Sequence, residues 1–192
     1  MDAVSYAFCD SVAAMLQSPS SLSGQFSSKI WQEAAESNAE SRVNAELFFA
    51  YNDDGWSYRI VLNDNVHHAF DYDSGVSLHE LQKRNRRHVR IEQMYVTSIN
   101  GHNPIQSSFE EIKTIAMYTL PCISMAQLEV SHTKSFPQDN LSELLSIYEN
   151  TAFSGIVTIG NNEQTLDFLL PHLSSFEECN WGLCASPQLW IP

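Results

Sequence analysis

The sequence predicts an α/β protein with short helices at its N-terminus, an antiparallel β-meander in the centre and repeated α/β units at its C-terminus. Three patterns lead to this prediction. Apolar residues near the start recur at helical spacing, polar and apolar residues alternate around an Asp-Gly turn, and one helix-then-strand motif occurs three times between residues 107 and 182. We therefore divide the chain into residues 1–40, 41–106 and 107–192.

Composition narrows the classes of partner. The 192 residues suffice for one good hydrophobic core. Ten Lys and Arg against 23 Asp and Glu give a formal charge of -13, so we expect no nucleic-acid or membrane partner, and a basic protein surface fits better. The four cysteines form no CxxC pair, which indicates a reducing compartment. Without a signal-peptide pattern or a membrane-length apolar run, the predicted location is cytoplasmic or nuclear.

The first predicted helix carries apolar residues at nearly regular intervals of four. A serine-rich break follows, and a second helical pattern begins after it. Two interpretations of these helices stay open: they pack on the domain behind them, or they place exposed apolar side chains in a groove on a partner. The candidate partner-binding residues are Val4, Phe8, Val12, Leu16 and Trp31.

The central segment changes to a period of two. Residues 45–51 and 56–62 flank the tetrapeptide 52–55, which ends in Asp-Gly and predicts a β-hairpin. A third strand over residues 66–72 would complete the meander. A capped helical turn is predicted from Ser77, and a further strand over residues 88–98. The alternation places on one face of that strand the residues Val89, Ile91, Gln93, Tyr95 and Thr97.

A basic run precedes this last strand and holds half of the cationic residues of the chain. It is interpreted as a nuclear-localisation sequence or a patch for an acidic partner, or else as a group of charges that neutralises carboxylates on neighbouring elements. The residues of this basic patch are Lys83, Arg84, Arg86, Arg87 and Arg90.

Three α/β units are predicted in the last third of the chain. The first begins with a polar helix cap at Ser107 and Ser108, the second at Asp139, and the third at Asn161. A short amphipathic helix, a breaker and a β-like run follow each cap. Such units bury their apolar faces only against one another, so they predict a continuous stack.

The sequence contains no recognisable catalytic, metal-binding or phosphate-binding motif. Five residues between 67 and 79 (His67, His68, Asp71, Asp73 and His79) have the residue types of a metal site but match no ligand spacing. The sequence has no Gly-x-Ser-x-Gly motif, no cysteine signature and no phosphate-binding glycine loop. We therefore expect no enzyme activity, no metal or other cofactor, and no small-molecule substrate.

The N-terminal pattern resembles the F-box-like start of the nematode F-box and F-box-associated protein families. The resemblance extends to the hairpin with Trp56, to residues 87–91 and to the α/β units, which are similar to leucine-rich-repeat-type or F-box-associated regions. It rests at the N-terminus on Met1-Asp2-Ala3-Val4, Phe8, Val12, Leu16, Leu22 and Trp31.

This resemblance implies a protein-interaction module that acts as a substrate-recognition subunit of a Skp1/cullin-type ubiquitin ligase. The N-terminal helices would bind a Skp1-like adaptor, and the C-terminal units would form a parallel, leucine-rich-repeat-like sheet that presents a substrate. The alternative is a non-ligase scaffold or regulatory protein whose N-terminal helices pack on its own sheet.

Overall fold

The structure, a computed structural model, describes residues 4–15, 28–63, 75–98, 103–131 and 135–159, together with Phe168. Within them the protein is mixed α/β with a seven-stranded sheet, which confirms the predicted class. Three predictions lie outside the described residues: the position of Leu16, the strand over residues 66–72, and the third α/β unit except Phe168.

The helices follow the apolar periodicity and the capping signals. Ser77 and Ser108 each form a reciprocal capping box with a glutamate three residues later, and Pro121 follows the end of the helix that Ser108 caps. The helix predicted from Asp139 begins one residue earlier. The α-helices are α1 (Tyr6–Met15), α2 (Lys29–Ser41), α3 (Leu78–Gln82), α4 (Phe109–Thr119) and α5 (Gln138–Ser146), with short 3-10 turns at Arg86–His88 and Leu120–Cys122.

One mixed sheet contains all the strands, in the order β3-β2-β1-β4-β6-β7, and β5 also pairs with β2. The hairpin β1–β2 is antiparallel, whereas β1, β4, β6 and β7 are parallel neighbours. Helix α4 lies in the connection from β4 to β6, and α5 in that from β6 to β7. The strands are β1 (Val43–Asn52), β2 (Gly55–Asn63), β3 (Gly75–Val76), β4 (Val89–Thr97), β5 (Ile105–Gln106), β6 (Ile123–Ser131) and β7 (Gly155–Ile159).

The predicted hairpin is confirmed. Asn52 and Gly55 are paired across a two-residue turn, and Gly55 has a φ of +96°, which a residue with a side chain rarely adopts. The side chain of Asn52 accepts a hydrogen bond from the backbone amide of Asp54 at 2.9 Å. Strand β2 then pairs along its other edge with the short strands β3 and β5.

The predicted alternation of β4 is wrong beyond Ile91. Ile91 pairs with Ala45 and Gln93 pairs with Glu46, so Glu92 is an additional residue that forms a β-bulge. The bulge shifts the alternation by one residue, and Met94 and Val96 join Ile91 among the fully buried side chains, whereas Gln93 and Tyr95 are half-exposed. Apolar residues thus stay on one face of the sheet although the period of two is interrupted.

The main core lies between one face of the sheet and the helices. The register aligns Leu47, Ile60 and Met94 with Leu128 in a row across four strands, and all four are fully buried. The helices contribute buried side chains to the same cluster, including Leu81, Ile112, Ile115, Leu141 and Leu144. The sheet combines strands from the predicted central and C-terminal segments.

The N-terminal helices have a separate, small apolar cluster. It consists of Cys9, Ala13 and Ala34, with Trp31 packed against it. Helix α2 continues through the polar residues 37–41, and only Arg42 separates it from β1. The helix pair is therefore joined directly to a strand that has neighbours on both sides.

Truncating Leu144 to alanine should lower the free energy of unfolding by about 2–5 kcal/mol, because a fully buried leucine leaves a cavity. The matched control is Met117→Ala on α4, where the side chain is 58% exposed and the change should stay within about 0.5 kcal/mol. Urea denaturation measures both. Equal losses would contradict the position of the core.

Candidate functional site

Helix α1 exposes the large side chain of Phe8 and buries the small side chains of Cys9 and Ala13. Val4 is 45% exposed and Phe8 is 55% exposed, while Cys9 and Ala13 are fully buried against α2. Phe8 and Val12 are four residues apart and share one side of α1, whereas Val4 precedes the helix by two residues. Val12 is half-buried.

The exposed side chain of Phe8 lies next to the first turn of α2. The rings of Phe8 and Trp31 meet edge to face, with centroids 6.1 Å apart and an interplanar angle of 84°. Trp31 is half-buried, and its neighbour Ile30 is exposed. We call the exposed side chains of Val4, Phe8 and Ile30 the apolar patch. The structure thus brings Phe8 and Trp31, both predicted partner-binding residues, into contact.

Polar contacts hold α1 against α2 and against the turn that precedes β4. Asp10 lies on α1 and forms an ion pair with Arg87, at 2.6 Å between Oδ2 and Nη2. The amide of Asn38 on α2 donates a hydrogen bond to the other carboxylate oxygen of Asp10 at 2.7 Å. Asn38 is buried and also donates to the Ala34 carbonyl oxygen at 2.9 Å. One carboxylate therefore links α1 to α2 and to the turn before β4.

Two further arginines contact the C-terminal end of α1. The carbonyl oxygen of Ala14 accepts hydrogen bonds from the Nη2 atoms of Arg42 and Arg90. This carbonyl belongs to the last turn of α1, where helix carbonyls lack intrahelical partners and the helix dipole is negative. We call Arg42, Arg87 and Arg90 the arginine clamp.

The electrostatics of the clamp favour its contact with α1. Burial lowers the pKa of Arg42 and of Arg90, and the charge of Arg90 lowers the pKa of Arg42 further. Both guanidinium groups nonetheless stay protonated at neutral pH. Burial also raises the pKa of the nearby Glu92 carboxyl, an effect that Arg42 opposes. The negative end of α1 thus faces two positive guanidinium groups, those of Arg42 and Arg90, which are partly removed from water.

The residues of the predicted basic patch contact groups on several elements of the protein itself. Arg87 and Arg90 contact α1, while the guanidinium of Arg86 lies 5.0 Å from the centroid of the Tyr118 ring on α4. Lys83 and Arg84 are exposed at the end of α3. These contacts support the interpretation that part of the run neutralises neighbouring groups.

Sequence reasoning missed Arg42, Asp10 and Asn38. Asp10 offered a weak signal, since it is an acidic residue that directly follows Cys9 and precedes Ala13 by three positions, both of which are buried. Its partners lie 28 and 77 residues further along the chain, and nothing local indicates such pairings.

Other kinds of site find no support where the structure describes the chain. No group of three or more His, Cys, Asp or Glu side chains among residues 4–15, 28–63, 75–98, 103–131, 135–159 and 168 is placed to hold a metal ion. His67, His68, Asp71 and Asp73 lie outside these ranges. Of the helices in the same ranges, none has the length and apolar character to cross a membrane.

Fold and site together define a mixed α/β protein with a clamped N-terminal helix pair that exposes apolar side chains. No family model matches the chain, and neither a curated protein nor a solved structure is significantly similar to it.

A double-mutant cycle with Asp10→Asn and Arg87→Gln should give a coupling energy of about 0.5–1 kcal/mol, because the pair is only partly exposed but lies within reach of water. The coupling should shrink in 0.5 M NaCl, where exposed charges are screened. Thermal or urea unfolding of the four proteins measures it. A coupling of zero at low salt would show that the ion pair does not hold α1.

Proposed function

We propose that the protein is a protein–protein interaction module that docks through its N-terminal helix pair into a groove on a partner. The observation that carries this proposal is the exposure of Phe8 on a helix whose opposite side is already packed, together with the exposure of Val4 just before that helix. Apolar anchors repeated every three or four residues are the usual means by which a helix binds in a groove. The side of α1 that faces α2 carries the small residues Cys9 and Ala13, so the large apolar side chain of Phe8 is left for a partner to cover.

The size of the patch limits what it contributes alone. Fully burying a Val or Phe side chain is worth about 1.5–3 kcal/mol, and these side chains are already about half buried. A specific interface buries about 800 Å² on each partner. The partner must therefore also contact surrounding parts of the pair, including the Trp31 edge and the outer side of α2.

The partner we propose is a Skp1-like adaptor, which makes the protein a substrate-recognition subunit of a Skp1/cullin-type ubiquitin ligase in the cytoplasm or nucleus. The support comes from the resemblance of the N-terminal pattern and from the exposure of Val4 and Phe8, two of the positions that it implies. The arginine clamp also suits this role, since a receptor must hold its adaptor-binding and substrate-binding parts at a fixed separation. No catalytic group, cofactor, nucleic acid or small-molecule substrate is required.

A second candidate is a non-ligase scaffold or regulatory protein. The clamp itself favours it, because three arginines fix the helix pair to the protein's own sheet and Trp31 is half-buried. In this case Phe8 would be a surface residue without a dedicated groove, and recognition would involve other surfaces such as the exposed residues Lys83 and Arg84.

We also propose that a third α/β unit extends the parallel sheet beyond β7 in a leucine-rich-repeat-like manner. Phe168 supports this, since it is helical, only 8% exposed and part of the main core cluster. In this proposal the predicted third helix follows β7 in the chain as α5 follows β6. The predicted β-like run over residues 176–181 would then pair with β7.

Hydrogen exchange of the β7 amides tests the third unit. An edge strand points alternate amides towards solvent, whereas a strand with two neighbours bonds all of them. We expect residues 155–159 to be protected without interruption, and residues 123–131 of β6 provide the internal reference. Fast exchange at every second amide of β7 would contradict a neighbouring strand.

Phe8→Asp should abolish adaptor binding, because it places a charge in the centre of an apolar contact. Met117→Asp is the matched control: Met117 is exposed to a similar degree but lies on α4. Titration calorimetry with a purified Skp1-like adaptor, up to tens of micromolar, measures both. Absence of binding by the unmodified protein would rule out the adaptor, and equal binding by both variants would rule out the patch.

A further inference from the structure

The outer side of α2 carries an acidic stripe beside the apolar patch. Glu33, Glu36 and Glu40 are all exposed and follow one another at helical spacing. Lys29 pairs with Glu33 at 3.4 Å, but both side chains are more than half exposed, so this pair is weak and the stripe keeps a net negative charge. The amide of Gln32 donates a hydrogen bond to Glu36 at 2.9 Å.

The stripe and the apolar patch meet at the first turn of α2. Phe8 contacts Trp31, the residue after the exposed Ile30, and Glu33 follows Ile30 by three positions, on the neighbouring turn. A surface that covers Phe8 and Ile30 therefore reaches the beginning of the acidic stripe.

We propose that the helix pair recognises a protein groove that is apolar at its centre and lined with lysine or arginine along one rim. This inference rests on the proposed docking function and adds the chemistry of the partner. Apolar side chains of the groove would cover Phe8 and Ile30, while the basic rim would pair with Glu33, Glu36 and Glu40. Complementary charge of this kind selects partners and accelerates association.

Charge selects this occupant over a second copy of the chain. Two copies would each carry -13, and pairing patch to patch would bring two acidic stripes close together. A nucleic acid would meet the same repulsion. A basic-rimmed protein surface satisfies both the apolar and the charged parts.

The test uses two synthetic helical peptides as probes for the groove. Both carry a stripe of leucines, flanked in one by lysines and in the other by glutamates. Fluorescence anisotropy with the full chain at physiological salt gives the two affinities, which are compared for four proteins. The first is unmodified, and the second carries Glu33→Gln, Glu36→Gln and Glu40→Gln. The third carries Asp53→Asn, Asp54→Asn and Glu149→Gln, and the fourth carries Phe8→Asp.

We expect the lysine peptide to bind and the glutamate peptide not to bind. The α2 triple variant should lose about tenfold in affinity for the lysine peptide, as three exposed charge pairs imply, and Phe8→Asp should lose binding. The third protein changes net charge by the same amount at exposed positions elsewhere, so its affinity should change by less than about twofold.

Three results would overturn the inference: equal loss in the two triple variants, equal binding of the two peptides, or no binding of either. These results leave the proposed function standing if the adaptor still binds through Phe8. Conversely, lysine-peptide binding that depends on both Phe8 and the α2 glutamates, without adaptor binding, would keep the basic-rimmed groove and reject the adaptor.

Discussion

Strand β1 is the constraint on which the rest of the structure depends. It pairs antiparallel with β2 on one side and parallel with β4 on the other, so it joins the hairpin to the parallel array. Ala45, Leu47 and Phe49 are fully buried on the face that the helices cover. Because α2 ends at the residue before Arg42, the helix pair ends directly at the start of the same strand.

Local signals predicted the local elements well. The Asp-Gly turn predicted the hairpin, and the serines at positions 77 and 108 predicted two helices that the structure caps as expected. The sequence did not predict the bulge at Glu92, because a bulge changes the hydrogen bonding between strands and needs no distinctive residue type. It also did not predict that β1 and β4 pair in parallel, because the paired residues are more than 40 positions apart.

The candidate site shows a sharper division between what sequence can and cannot predict. The spacing of Val4, Phe8 and Val12 predicted a helix, but periodicity alone does not say whether an apolar stripe faces the core or solvent. In α1 the answer comes from Cys9 and Ala13, whose small size permits close packing on α2. The arginine clamp depends on folded geometry, because its members lie on β4, on the turn before β4 and between α2 and β1.

The junction between α2 and β1 has a mechanical consequence. A force on the helix pair reaches β1 at its N-terminal end, because only Arg42 lies between α2 and β1. Hydrogen bonds to β2 and β4 flank β1 on both sides, so the component of that force along the strand must shear two ladders together. A protein built in this way can bear a load on its N-terminal helices while its core stays folded.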